Sequence, residues 1–118
     1  MASDDEARGE RARNLGRLVV RSARDGETHI VELLGELDIA GAPALEGELL
    51  SVESGDAASI VVDLRGLEFI DSTGLRLLVM AAERCRDSGR LALLRGPDPV
   101  HRVFELTDLV SRLPFSDL

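Results

Sequence analysis

SIVVDLRGLEFIDSTGLRLLVMAAERCRDSG, residues 59–89, changes its period partway along. The first part, Ser59 to Leu64, contains the β-branched run Ile60-Val61-Val62 and reads as a central strand covered on at least one face. The second part recurs at helical spacing. Leu75, Leu78, Val79 and Ala82 form an i, i+3, i+4, i+7 stripe over a helix expected from Thr73 to Asp87, and Leu77, Met80 and Ala81 widen its apolar arc. Gly89 stands where a C-terminal cap is needed. Arg65 to Ile70 is expected to be a loop joining the two. A strand that feeds a long helix is half of a parallel crossover unit, which predicts an α/β fold.

Upstream, Gly16 to Ala23 and Thr28 to Leu34 read as two strands joined by the turn Arg24-Asp25-Gly26-Glu27, with Asp-Gly the usual hairpin dipeptide. In the second strand Ile30, Glu32 and Leu34 alternate with His29, Val31 and Leu33, so one face should be less buried than the other. After Gly35-Glu36-Leu37-Asp38 a helix begins, with Pro43 in a first turn that has no need of its missing N–H. Leu45, Leu49 and Val52 make its apolar stripe, Glu46, Glu48 and Glu53 lie off it, and Ser54-Gly55-Asp56 ends it. Downstream, Arg90 to Arg95 reads as a strand. Gly96-Pro97-Asp98-Pro99 breaks it, a helix runs from Val100 to about Thr107 with Val103 and Phe104 inward, and Leu109 to Phe115 could add a last strand. The expected order is ββαβαβα(β): a mixed sheet of four to five strands with helices packed on it, in one domain spanning 15–118. Residues 1–14 read as a flexible charged tail.

Composition excludes several functions. The 118 residues are 44% hydrophobic, enough for a soluble core, yet include three Phe and no Tyr or Trp, leaving no aromatic platform for stacked bases. The net charge of −8 disfavours nucleic acid and anionic membrane surfaces as partners. All 14 basic residues are Arg, so no phosphate-loop or Schiff-base lysine exists. Cys85 is the sole cysteine and His29 and His101 the sole histidines, which argues against a disulfide, a cysteine metal cluster or a multi-histidine zinc site. No cofactor is expected. With no secretory signal and no apolar run of about 20 residues, the expected compartment is the cytoplasm.

Three places could carry function. They are the acidic loop at Asp38, the turn Asp71-Ser72-Thr73-Gly74 before the long helix, and the adjoining helix surface with Arg76, Met80 and Glu83 as candidate contact residues. Loops at strand carboxyl ends gather on one edge of such a sheet, so Asp38 and Ser72 are expected to be neighbours. Local chemistry leaves two readings open for each. Ser72 is either an ordinary N-cap or a modified hydroxyl, and Asp38 is either a turn residue or part of a contact surface.

DLRGLEFIDSTGL at Asp63 to Leu75 and GELDIAGAPAL at Gly35 to Leu45, taken together, resemble the STAS domain of bacterial anti-sigma factor antagonists. The similarity extends from about Leu15 to the C-terminus. It implies that Ser72 is phosphorylated by an anti-sigma factor that is itself a serine kinase with a histidine-kinase-like ATPase fold. It implies further that the unphosphorylated protein binds this kinase and frees the sigma factor, and that a metal-dependent serine phosphatase resets the switch. On this resemblance Asp38, Asp71, Ser72, Thr73 and Gly74 belong to the partner surface, joined by Arg76, Met80 and Glu83, and the protein is a monomer or weak dimer without enzymatic activity. Gly41 departs from the pattern, since relatives often carry Thr there. A phosphate on Ser72 adds about −1.5 to −2 charge at a helix N-terminus, where the dipole and free N–H groups tolerate it.

Two other readings remain. A STAS subunit can serve as a docking partner in a lipid-transport complex. Ser72 could also be a hydrolase nucleophile, but that needs His29 or His101 as base, and the local run is not a G-x-S-x-G elbow.

Overall fold

A computed structural model of the chain describes residues 11–15 and 17–116. The elements, in order, are β1 (Arg11–Leu15), β2 (Leu18–Asp25), β3 (Thr28–Leu37), α1 (Ala42–Glu53), β4 (Ser59–Ile70), α2 (Ser72–Arg84), β5 (Leu91–Leu94), α3 (Asp98–Leu106), a 3-10 turn (Val110–Arg112) and β6 (Phe115–Ser116). The strands form one six-stranded sheet in sequential order. β1, β2 and β3 pair antiparallel, and β3, β4, β5 and β6 pair parallel. The mixed sheet and the alternation of strand and helix match the expectation.

The differences are local. The sheet begins at Arg11 rather than Leu15, because the charged run 11–15 pairs with β2 as an additional edge strand, which brings the strand count to six. Residues 1–10 of the expected tail lie outside the described residues. At the other end only Phe115–Ser116 pairs with β5, and the stretch before it coils into the 3-10 turn instead of a strand. The hairpin is a two-residue loop closed by the Asp25–Thr28 pair. Gly26 takes φ +62° at its first position, the conformation a type II′ turn requires there.

The largest correction concerns residues 65–70. They continue β4, which runs the whole length of β3 so that Leu37 lies beside Ile70. Two register shifts, between Glu32 and Leu34 and between Gly35 and Glu36, each leave an extra residue on β4. These bulges hide the strand's period. At the first bulge the Arg65 N–H donates to Asp63 Oδ1 at 3.0 Å, and the Arg65 guanidinium grips both carboxylate oxygens at 3.0 and 2.9 Å.

The core is aliphatic, as the composition requires. Leu18 and Val20 of β2, Val31 and Leu33 of β3, and Ile60, Val62 and Leu64 of β4 are buried against Leu45 and Leu49 of α1 and Leu75, Leu78 and Ala81 of α2. Each such Leu, Ile or Val side chain contributes roughly 1.5–3 kcal/mol through removal from water. Ile30, Glu32 and Leu34, on the opposite face of β3, are only half-buried, as their alternation predicts. Glu48, placed off the α1 stripe by its spacing, is buried at 4% exposure. Strands added in one direction place α1 and α2, the first two of three crossover helices, on the same face. A groove runs between α1 and α2.

Candidate functional site

The site grows from one pair in the parallel ladder. Leu37 ends β3, Ile70 ends β4, and they are register partners, so the residues that follow, Asp38 and Asp71, emerge side by side. The Asp71 N–H donates to Leu37 O at 3.1 Å and ties the two strand ends together. The expected neighbourhood of Asp38 and Ser72 follows from this register.

Asp71, not Ser72, caps α2. Its backbone is extended, and its Oδ1 accepts from the Gly74 N–H at 3.0 Å. The other oxygen, Oδ2, accepts from the Ile39 N–H at 3.2 Å, so one carboxylate holds both the helix start and the loop after β3. Asp38 shapes that same loop. Its Oδ1 accepts from the Ala40 N–H at 3.0 Å, and its carbonyl accepts from the N–H groups of Gly41 and Ala42. Both aspartates therefore do local structural work. Gly41 then enters α1 without any side-chain cap bond, consistent with the missing hydroxyl at that position.

With Asp71 as the cap, Ser72 becomes the first helical residue. It is exposed, and no described residue hydrogen-bonds its hydroxyl. Thr73 is half-buried in the wall of the groove. Gly74 is buried, and a Cβ there would fall 2.7 Å from Leu37 Cγ and 3.0 Å from Ile70 Cγ1. Glycine is needed at this position because α2 starts in contact with the two strand ends.

The groove, of about 200 Å³, is lined by Ile39, Ala42, Pro43 and Glu46 on one side and Thr73, Arg76, Leu77 and Met80 on the other. Its rim carries exposed apolar surface: Ile39 is 71% exposed and Met80 43%. Phe69, just before the turn, is 48% exposed. Exposed apolar side chains grouped around a groove make it a candidate docking surface. Ile39, Pro43, Glu46 and Phe69 are not among the contact residues expected from the sequence. An isoleucine in a loop after a strand was the available signal, but only the fold puts it opposite Met80.

Of the expected site residues, Asp38, Asp71, Ser72, Thr73, Gly74, Arg76 and Met80 are brought to this end of the molecule. Glu83 is not. It lies about three turns along α2 from Ser72, and its carboxylate accepts from Arg112 Nη2 at 3.0 Å.

Neither histidine lines the groove. His29 Nε2 is bonded to the Ser22 hydroxyl, and His101 is buried edge-on to Phe115, so no imidazole stands ready as a base for Ser72. Burial, reinforced by the Glu53 charge, pushes the Cys85 thiol up from its ordinary value and keeps it in the unreactive form. Among the described residues no group of three or more His, Cys, Asp or Glu side chains is placed to hold a metal, and no helix is long and apolar enough to cross a membrane.

Sheet, groove and rim hydroxyl together define a small α/β docking domain. The family model described as Mlab, STAS domain, matches residues 20–113, and the chain belongs to the STAS domain family. Among curated relatives, the anti-sigma-B factor antagonist of Staphylococcus aureus is 30% identical over 93 residues, 78% of this chain and 86% of that protein. BtrV of Bordetella bronchiseptica, a candidate anti-sigma factor antagonist, is 33% identical over 86 residues, 72% of this chain and 74% of its own length. A crystal structure of an anti-sigma factor antagonist from Mycobacterium paratuberculosis superposes with a TM-score of 0.77 at 25% identity, covering 86% of each chain.

Proposed function

We propose that this protein is an anti-sigma factor antagonist that works by partner switching at the α1–α2 groove. Unphosphorylated, it docks a serine-kinase anti-sigma factor of histidine-kinase-like ATPase fold through Ile39, Met80 and the loop held by Asp38 and Asp71. The kinase phosphorylates Ser72, the complex separates, and a metal-dependent serine phosphatase restores the docking form. Such a cycle belongs in the cytoplasm. The observation that carries this reading is an exposed, unbonded hydroxyl on the first residue of α2, directly beside an apolar groove. A phosphate there places a dianion at the rim without disturbing the core, because the Asp71 cap and the Gly74 contact lie behind it. Desolvating that charge next to Asp71 and Asp38 opposes docking.

The test is to incubate the protein with candidate kinases of its host and ATP, locate phosphate by mass spectrometry, and measure affinity before and after. Phosphate is expected on Ser72 and not Thr73, with affinity falling on the order of 100-fold, equivalent to about 3 kcal/mol. Ser72→Ala should stay folded, unmodified and bound. Phosphate on Thr73, unchanged affinity after modification, or capture of a transporter ATPase instead of a kinase would sink the proposal.

A further inference from the structure

Arg76 is exposed on the second turn of α2 and lines the groove, yet among the described residues it has no hydrogen-bond or ion-pair partner. Arg17, Arg24, Arg65, Arg84 and Arg112 each pair with a carboxylate, and Arg86 and Arg102, which like Arg76 have no such partner among the described residues, do not line the groove. We propose that Arg76 is an intramolecular clamp for a phosphate on Ser72, closing its guanidinium over the phosphoryl oxygens and withdrawing its charge from the groove when Ser72 is modified. This rests on the reading of Ser72 as the phosphoacceptor.

The spacing provides the reach. Ser72 and Arg76 are i and i+4 on one helix, so their Cβ atoms lie about 5–6 Å apart on the same face, with the anion N-terminal to the cation in the favoured order. A guanidinium presents paired N–H donors that match phosphate oxygens bidentately. The helix end adds donors. The Gly74 N–H is already taken by Asp71, whereas those of Ser72 and Thr73 have no acceptor among the described residues.

The surroundings favour a nearby cation. Asp71 stands next to Ser72, Asp38 holds the adjacent loop, and Glu46 lines the facing wall of the groove. All three repel a phosphate. Arg76 is the one cation in the groove lining. Modification then changes the docking surface twice over: a dianion arrives at the rim, and the guanidinium that faced the groove turns away to meet it.

The clamp itself is tested without a kinase. The full chain is made with phosphoserine installed at position 72 by amber suppression, and the phosphate is titrated by 31P NMR in the wild-type background and in Arg76→Gln and Arg76→Lys. The clamp lowers the second phosphate ionisation from its ordinary value of about 6. Arg76→Gln should raise the midpoint by about half a unit, the size an exposed charge pair produces. Arg76→Lys should recover most of that shift. Identical midpoints in wild type and Arg76→Gln would show that the amides alone hold the phosphate and would overturn the clamp. Affinity for the kinase, measured on the same samples, separates the two ideas. Release of the partner with no Arg76-dependent titration refutes the clamp alone. An Arg76-dependent titration without release refutes the switch and leaves the clamp standing.

Discussion

Asp38 and Asp71 occupy equivalent places at the ends of neighbouring parallel strands, and their hydrogen bonds separate their roles. Asp71 uses both carboxylate oxygens, one on the Gly74 N–H and one on the Ile39 N–H. Asp71→Ala removes a helix cap and loosens the groove wall with it, and should lower unfolding free energy by about 1–2 kcal/mol in denaturant melts. Asp38 accepts the Ala40 N–H through a single oxygen, which an asparagine amide can imitate. Asp38→Asn should therefore leave stability within about 0.5 kcal/mol while weakening kinase binding through loss of charge. A variant that loses stability but binds as before would reduce Asp38 to a turn residue. Reading Ser72 as a cap failed for a simple reason. Asp and Ser are both good caps, and the register that sets Asp71 beside Leu37 chose between them.

At the scale of elements, the start of α2 is fixed by a close approach. The absent Cβ of Gly74 leaves room for Leu37 and Ile70. Gly74→Ala forces those side chains or the helix to shift and should cost about 1–3 kcal/mol, the usual cost of overpacking. The displaced helix start should also impair phosphorylation of Ser72, and a melt together with a phosphorylation rate on the one variant checks both. Gly35 is a second such point, at φ +92° with Arg17 O only 2.1 Å from where a Cβ would sit. β4 teaches a different lesson about legibility. Its first half announces itself through Ile60-Val61-Val62, while Arg65, Gly66 and Glu68 interrupt the alternation and read as a loop. β3 supplies a ten-residue partner edge, and pairing with it overrides the local signal.

For the whole molecule, acid stability should depend on the first β4 bulge. Burial raises the Asp63 carboxyl, but hydrogen bonds from the Arg65 guanidinium and backbone N–H, with the guanidinium charge, outweigh it and leave the carboxyl below its ordinary value. A carboxylate with a lowered folded pKa stabilises the fold fully above its unfolded value of about 3.9 and loses that contribution as pH falls toward the folded value. Unfolding free energy should therefore fall as pH drops below about 4, and Asp63→Asn should show a shallower fall. An equal acid slope in both proteins would refute this role. Asp56, drawn down by hydrogen bonding and charge from Arg24, acts in the same direction but is fully exposed.

The sequence by itself determined the class of the fold and the end of the sheet where the candidate site lies. Periodicities of two and 3.6, the Asp25-Gly26 turn, Pro43 and Gly89 are local signals, and each depends on a few neighbouring residues. The DSTG turn at 71–74 left Ser72 open between a cap and a modified hydroxyl, and only the resemblance to a known motif favoured the second. Tertiary structure decided what depends on partners distant in the chain. It recruited residues 11–15 as an edge strand, carried β4 through its bulges, gave the cap to Asp71, moved Glu83 out of the site and set Ile39 opposite Met80. None of these could be read locally, because an edge strand, a bulge and a groove wall are each defined by another segment's backbone or side chains.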